Sequence, residues 1–534
     1  MTTGQGRSID WIAVGLWGLG VCFLLWVSRL DFLRQDANWD LLNYHAYVPA
    51  SLLNGTWFKD FHPAVTPSYL SPYQDLLTWP LIGGLPAPLA TAVLVSAQVS
   101  ILVPVGLIVR VLVPSLALWR ALGIGLISVA GAMTTTELGT TMGDIPPAIL
   151  TTWALYLLLS LTSPQGCSHP SRRAIIAGLL SGLAVALKLT IVLAIPGLFV
   201  VALFVMAAGR RRSALVFLGA APAAAVILYA PWALVLQRTM DSPVFPFWNT
   251  IFHAPRFPLW DWRDLRFLVT SIGELAALPI RQLAGPTATS ELAFTDARWV
   301  VAVVVALVAL IAVSMRFVLR RRRSEATTKP GFLPGLALML FWLVSYAVWA
   351  VLFGIQRYAI VLEVLAIPVI VAGSCSLAPR LESRHVGLTA LAAMALLLAG
   401  TTTVVDFGRR PMGWAPIVPA QSIPALEPFG AIVAATPPIA YLRAVTRDTG
   451  SAQNQVWLSV PFNAADRLVA DTVLRGQSVG VVFYQNAAAG ANQAAMELGL
   501  RITGSCQQFQ PPLERAGTGQ ITVCSAVPLT TFWR

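Results

Sequence analysis

The feature that most constrains this chain is a series of long apolar runs, separated by short polar or arginine-bearing stretches. A bilayer core takes an α-helix of about 20 apolar residues, because each backbone N–H and C=O must find its partner within the segment. Runs of roughly 16–22 residues lie at 11–29, 88–109, 121–136, 145–162, 174–190, 191–208, 214–236, 299–318, 332–353, 358–374 and 386–405. They predict an α-helical polytopic membrane protein with about eleven transmembrane helices. Lys188 and Pro196 interrupt the pair over 174–208. The run Trp11–Val27 is long for a signal-peptide core and no small-residue cleavage site follows, so it is expected to stay as the first span. Composition agrees. The 534 residues are 56% hydrophobic and 11% charged, where soluble proteins carry about 25% charged residues.

The net charge of +12 has a topological origin. Arg7, Arg110 with Arg120, Arg172–Arg173, Arg210–Arg212, Arg320–Arg323 with Lys329, and Arg380 with Arg384 all fall on one side if the spans alternate. Cytoplasmic loops are marked in this way. The expected location is the cell (inner or plasma) membrane, with a cytoplasmic N-terminus and an extracytoplasmic C-terminus. No basic–aromatic stripe suggests a nucleic-acid surface. The same alternation puts loops 30–87, 134–147 and 237–298 on the outer face, with "GIQRY" at 354–358. In the first loop, Trp39, Leu42, Tyr44, Tyr47 and Leu52 interleave with polar groups and suggest a helix lying at headgroup level.

The division falls near residue 405, with a transmembrane part over 1–405 and an extracytoplasmic part over 406–534. In the second part "GAIVAAT" and "SVGVVFY" read as buried strands, and "PPIAYLRAV", "NAADRLVADTVL" and "NQAAMELGL" as helices. Alternating strands and helices argue for a small α/β domain on the outer face. Cys506 and Cys524 flank a turn between two terminal strands, and in an oxidising compartment they are expected to pair. Cys22, Cys167 and Cys375 are scattered through spans and short inner loops.

The residues that suggest chemistry collect on the outer loops. Asp36 and Asp40 are four apart, so on a helix they share a face, while His45 falls slightly off it. Two such carboxylates repel unless a cation, a metal or a proton lies between them. With Asn43 and His45 they suggest a site, and one of them a general base. For Asp36 alone, a helix cap is the simpler reading. Glu137 ends a span, where an ionisable group is costly, and Asp144 precedes Ile-Pro-Pro, as an N-cap does. Asp40 and Asp144 together are weak candidates for a divalent cation, Mg²⁺ or Mn²⁺. Arg357 and Lys188 lie at span ends, where they would either snorkel or meet a lipid-linked phosphate. Glu363, six residues into the last of these spans, would neutralise Arg357 or another buried cation.

Asp40-x-x-x-Tyr44 after a first span, then Leu52–Leu53, Gly55-x-Trp57 and His62-Pro63, resembles the first outer loop of GT-C glycosyltransferases. These are membrane enzymes that use polyprenyl-phosphate sugars, such as the aminoarabinose and protein mannosyltransferases. The resemblance covers roughly 11–405 and implies that Asp40, rather than Asp36, is the catalytic base. It implies a second acid at Asp144 or Glu137, and Arg357 with Tyr358 meeting the lipid phosphate. Where the family often has Asp-Glu, this chain has Asp40-Leu41. The expected activity is inverting sugar transfer from a polyprenyl-phosphate donor to a glycan, lipid or protein acceptor. A transporter or lipid flippase, and a non-catalytic assembly subunit, are the rival classes. Against the former, no inverted halves are visible.

Overall fold

The computed structural model describes residues 34–163, 168–260, 262–285, 287–320, 332–378, 400–450, 453–513 and 519–529. The span expected at 11–29, the one at 386–405 up to residue 399, the arginines at 7, 321–323, 380 and 384, Lys329, Cys22 and Cys167 lie outside these residues. Among the described residues, eight helices are long and apolar enough to cross a membrane: Ala87–Leu112, Ile145–Thr162, Pro170–Leu187, Leu189–Ala207, Arg211–Met240, Arg298–Arg316, Phe332–Leu352 and Gln356–Leu377. Each matches an expected span to within a few residues. Small residues let two of them approach closely. Gly178 and Gly182 face Ala220, Ala221 and Ala224, and a Cβ on either glycine would collide with that helix.

The span expected at 121–136 is not continuous. It is split into Leu118–Val129 and Ala132–Glu137, and the break is stabilised by charged side chains from two later helices. The Arg298 guanidinium donates to Ser128 O at 2.9 Å and Ala130 O at 2.5 Å, meeting the loose carbonyls of the first piece. The Glu363 carboxylate accepts from Thr134 N at 2.8 Å, Thr134 Oγ1 at 2.7 Å and Met133 N at 3.2 Å. Asp296 accepts from Ala132 N at 3.3 Å. Helix ends leave such groups unmet, and here they are met inside the protein. Gly131 makes the approach possible, because a Cβ there would occupy the Glu363 carboxylate. Glu363 therefore caps a broken helix and does not neutralise Arg357.

The C-terminal part forms a five-stranded mixed sheet in the order β4-β3-β5-β7-β6. Its strands are β3 (Ala431–Ala434), β4 (Val456–Leu458), β5 (Val479–Tyr484), β6 (Leu500–Phe509) and β7 (Ile521–Pro528). β3 runs parallel to β4 and β5, while β7 is antiparallel to β5 and β6. Helices Tyr441–Val445, Ala464–Leu474 and Ala488–Glu497 connect the strands, close to where the periodicity puts them. Cys506 and Cys524 face each other across β6 and β7 and are bonded.

Loop one is built into this domain. β1 (Arg34–Asp36) pairs antiparallel with β2 (Arg409–Pro411), on the far side of the last span. Leu41, Leu42 and Ala46 share one apolar core with Ile417, Tyr441 and Trp457. A helix resting at headgroup level is therefore not what forms. Leu42, Tyr44 and Tyr47 are buried, and among the expected aromatics Trp39 alone is exposed.

Candidate functional site

Loop one, the turn around Met142, the Lys188 junction, residues 245–247, 262–266 and 291–292 and the Arg357 turn meet around one cavity of about 740 Å³. Its polar lining includes Asp40, Asn43, His45, Gln74, Asp75, Lys188, Glu291 and Arg357. Tyr44 and Tyr358 line it too, and Leu70, Leu187, Phe245, Phe247 and Phe353 supply apolar wall.

Local winding decides what loop one presents. Residues Leu41–His45 form a π-turn, with Ala46 N donating to Leu41 O at 3.3 Å. Pro49 has no N–H to give the His45 carbonyl four residues back, which disfavours regular α-winding here. The wider i→i+5 repeat narrows the offset between Asp40 and His45 that α-helical spacing predicts, and both residues line the cavity. Asp36 and Asp40 do not share a helical face. Asp36 is in β1, and its carboxylate accepts from Thr141 N and Oγ1, both at 2.8 Å, and from Asn38 N and Nδ2. It fastens loop one to the second turn and is not part of the cavity wall. The helix-capping oxygen belongs to Asn38, which accepts from Leu41 N at 2.8 Å.

Asp40 Oδ2 lies 2.5 Å from Arg357 Nη1, with both side chains largely buried. Burial pushes the Asp40 carboxyl up, but the Arg357 guanidinium, with His45 and Lys188, outweighs it and holds the group below the usual carboxylate range. Arg357 is itself held from loop three. The neighbouring Gln356 accepts from Gln282 Nε2 at 3.0 Å and Thr289 Oγ1 at 2.9 Å, and Glu291 lies 3.8 Å from Arg357 Nη2. Tyr358 faces two cations, Arg357 at 5.2 Å and Lys188 at 5.6 Å.

Lys188 occupies an extended joint between helix Pro170–Leu187 and the 3-10 turn Leu189–Ala194. Its Nζ contacts Asp144 Oδ1 at 2.7 Å and Met142 O at 2.9 Å. Asp144 stands at the N-cap position of Ile145–Thr162 but makes no side-chain cap; the lysine takes its carboxylate instead. Glu137 accepts from Asp144 N at 3.3 Å. Glu137 is buried and stands behind the wall rather than on it. Among the described residues no three of His, Cys, Asp and Glu gather as a metal-binding group. The two carboxylates considered as metal ligands, Asp40 and Asp144, face Arg357 and Lys188.

Sequence reasoning missed Asp75, whose Oδ1 lies 2.6 Å from His45 Nδ1. Both residues are buried. Burial raises the Asp75 carboxyl, against the pull of His45. Nothing in "YQDLLTWP" marks this aspartate apart from a carboxylate in an otherwise apolar helix. Asp264 and Arg266 were also missed; they pair on the segment beside the cavity, Nη2 to Oδ2 at 2.6 Å.

No protein-family model matches the sequence, and no curated protein matches it at sequence level. The fold does have a match. The structure of ArnT from Cupriavidus metallidurans bound to undecaprenyl phosphate is 14% identical, with 96% of this chain and 97% of that one covered, and a TM-score of 0.52. The apo form of the same protein (15% identical, 96% and 98% covered) gives a TM-score of 0.43. The Archaeoglobus fulgidus oligosaccharyltransferase, also apo, is 14% identical over 90% of this chain and 71% of its own, with a TM-score of 0.45. The GT-C fold implied by the resemblance of loop one is the fold of this chain.

Proposed function

We infer that the protein is a membrane glycosyltransferase that takes a sugar from a polyprenyl-phosphate donor and passes it to an acceptor at the outer face. The observation that carries this reading is the Asp40–Arg357 pair on the wall of a cavity with both apolar and cationic lining. An ionised carboxylate can receive a proton, and a guanidinium can meet a phosphate in a fork of two hydrogen bonds. ArnT, whose fold this chain shares, has been crystallised with undecaprenyl phosphate, and this supports the choice of lipid.

In this reading Asp40 takes the proton from the acceptor hydroxyl or amine. The freed electron pair forms a bond to the anomeric carbon, the carbon–oxygen bond to phosphate breaks, and the configuration inverts. The lipid phosphate leaves with the added charge, which Arg357 and Lys188 stabilise. The ion pair adds an order of events. While Arg357 holds Asp40 the base is engaged, and a donor phosphate that captures the guanidinium releases the carboxylate for the acceptor. Segment 245–292 closes one flank of the site, and Asp144 holds Lys188 in place.

The test uses the full chain in nanodiscs and a panel of radiolabelled undecaprenyl-phosphate hexoses and pentoses, with envelope extract supplying acceptors. Transfer from at least one donor is expected, reduced by about a hundredfold or more in Asp40→Asn. Unimpaired transfer by that variant would remove Asp40 as base. No transfer by the unmodified protein from any donor would overturn the reading.

A further inference from the structure

Two residues that line the cavity each carry a buried side-chain atom with no hydrogen-bond partner among the described residues: Asn43 Oδ1 and His45 Nε2. Their orientations are fixed from behind. Asn43 Nδ2 donates to Ala64 O at 3.3 Å, which leaves the amide oxygen as the group facing away from that contact. His45 Nδ1 is held 2.6 Å from the Asp75 carboxylate. That contact engages Nδ1, so Nε2 is the ring nitrogen left to meet a ligand group. Asn43 is 1% and His45 5% exposed, so bulk water does not readily satisfy either. Gln74 Oε1, a third buried oxygen on the same wall, is likewise unpartnered among the described residues. A buried polar atom left unmet is unfavourable, and Asn43, His45 and Gln74 carry three of them around the cavity that Asp40 also lines.

The chemistry of the missing partner follows. A phosphate or carboxylate has no hydrogen for Asn43 Oδ1. A hydrocarbon chain would leave all three atoms unmet. A ring bearing hydroxyl or amino groups supplies hydrogens at several points, and a hydroxyl can meet His45 Nε2 in either protonation state of the imidazole. We propose that Asn43, His45 and Gln74 are the recognition wall for the donor's sugar, with Asp75 as the residue that positions His45. This inference rests on the glycosyl-donor reading above and specifies it: Arg357 takes the phosphate, and the π-turn takes the sugar attached to it.

The experiment measures the affinity of the full-length protein in nanodiscs for two kinds of probe. One is bare undecaprenyl phosphate. The other is a set of undecaprenyl-phosphate sugars, neutral hexoses and a 4-amino pentose, each at equal lipid content. For the unmodified protein at least one sugar-bearing lipid binds more tightly than the bare lipid. Asn43→Ala and His45→Ala each reduce that sugar-dependent gain by about tenfold, while affinity for the bare lipid stays within about twofold. Asp75→Asn, which turns the ring hydrogen bond the wrong way round, gives a smaller loss of the same kind. Bare-lipid affinity and melting temperature report folding independently. Sugar-bearing lipids that bind no tighter than the bare lipid would overturn the proposal. So would variants that weaken both probes alike or neither. A protein that binds neither probe and transfers no sugar would instead overturn the donor reading itself.

Discussion

Asp40→Asn should increase affinity for the lipid phosphate while it cuts transfer by about a hundredfold or more. In the structure Arg357 is occupied: its Nη1 lies 2.5 Å from Asp40 Oδ2, with the two side chains 15% and 9% exposed. A phosphate that takes the guanidinium must first displace this carboxylate. Hydrogen bonds to charged groups contribute about 1.5–3 kcal/mol, so removing the competitor is worth a factor of roughly 10–100 in affinity. An asparagine remains a weaker acceptor for Arg357, which places the expected gain near the lower figure. The assay is a titration of purified protein with undecaprenyl phosphate at pH 7, followed by calorimetry or thermophoresis. The sign with pH follows from Asp40 being held below its ordinary value. Its pairing with Arg357 is complete above the unfolded value of about 4 and is lost as pH falls through the lower folded one. The Asn variant and the unmodified protein should therefore differ by a constant factor across pH 5–8. Weaker or unchanged binding by Asp40→Asn would refute the competition and with it the proposed order of events.

Gly131→Ala should destabilise the bundle by about 1–3 kcal/mol, the usual cost of overpacking, read as a lower unfolding temperature in detergent. His62, buried against Phe462 and 3.4 Å from Asp466, is pushed down to about 3 by burial and then by Arg256. Its depressed value contributes stability that is present above about 6.5 and is lost as pH falls toward 3. By pH 5 the loss is about 2 kcal/mol, and His62→Gln should flatten that part of the unfolding profile. Reducing the Cys506–Cys524 bond, which closes an 18-residue separation between β6 and β7, should cost the C-terminal domain about 2–4 kcal/mol. Protease susceptibility with and without a reductant would measure it.

What was legible in the sequence is what depends on local composition. Apolar runs located the spans because a bilayer demands length and polarity of each segment separately. Buried strands such as Val479–Tyr484 showed as apolar runs. Asp40, Arg357 and Lys188 stood out because charges are scarce near span ends. What stayed hidden depends on distant partners. The break at Ala130 and Gly131 is held by Asp296, Arg298 and Glu363, more than 160 positions away. Asp36 looked like a helix residue because its strand partner, Arg409, lies beyond the bundle. His45 was misplaced by an α-helical wheel, although Pro49 four residues on was a readable warning. Asp75 had no local signal, since its importance comes only from the ring it holds.

The pairing of β1 with β2 has a consequence for how the protein is made. Arg34 donates to the carbonyl of Arg409, 375 positions later, and Asp40 meets Arg357 after 317. The earliest described strand waits for its partner until 375 further residues have been made. Throughout that interval the future wall of the cavity is an unassembled, partly apolar segment at the membrane surface. Truncated chains that end before residue 409 should accordingly be targets for envelope proteases, however well their helices insert. Completion of the cavity wall then depends on synthesis having passed residue 409.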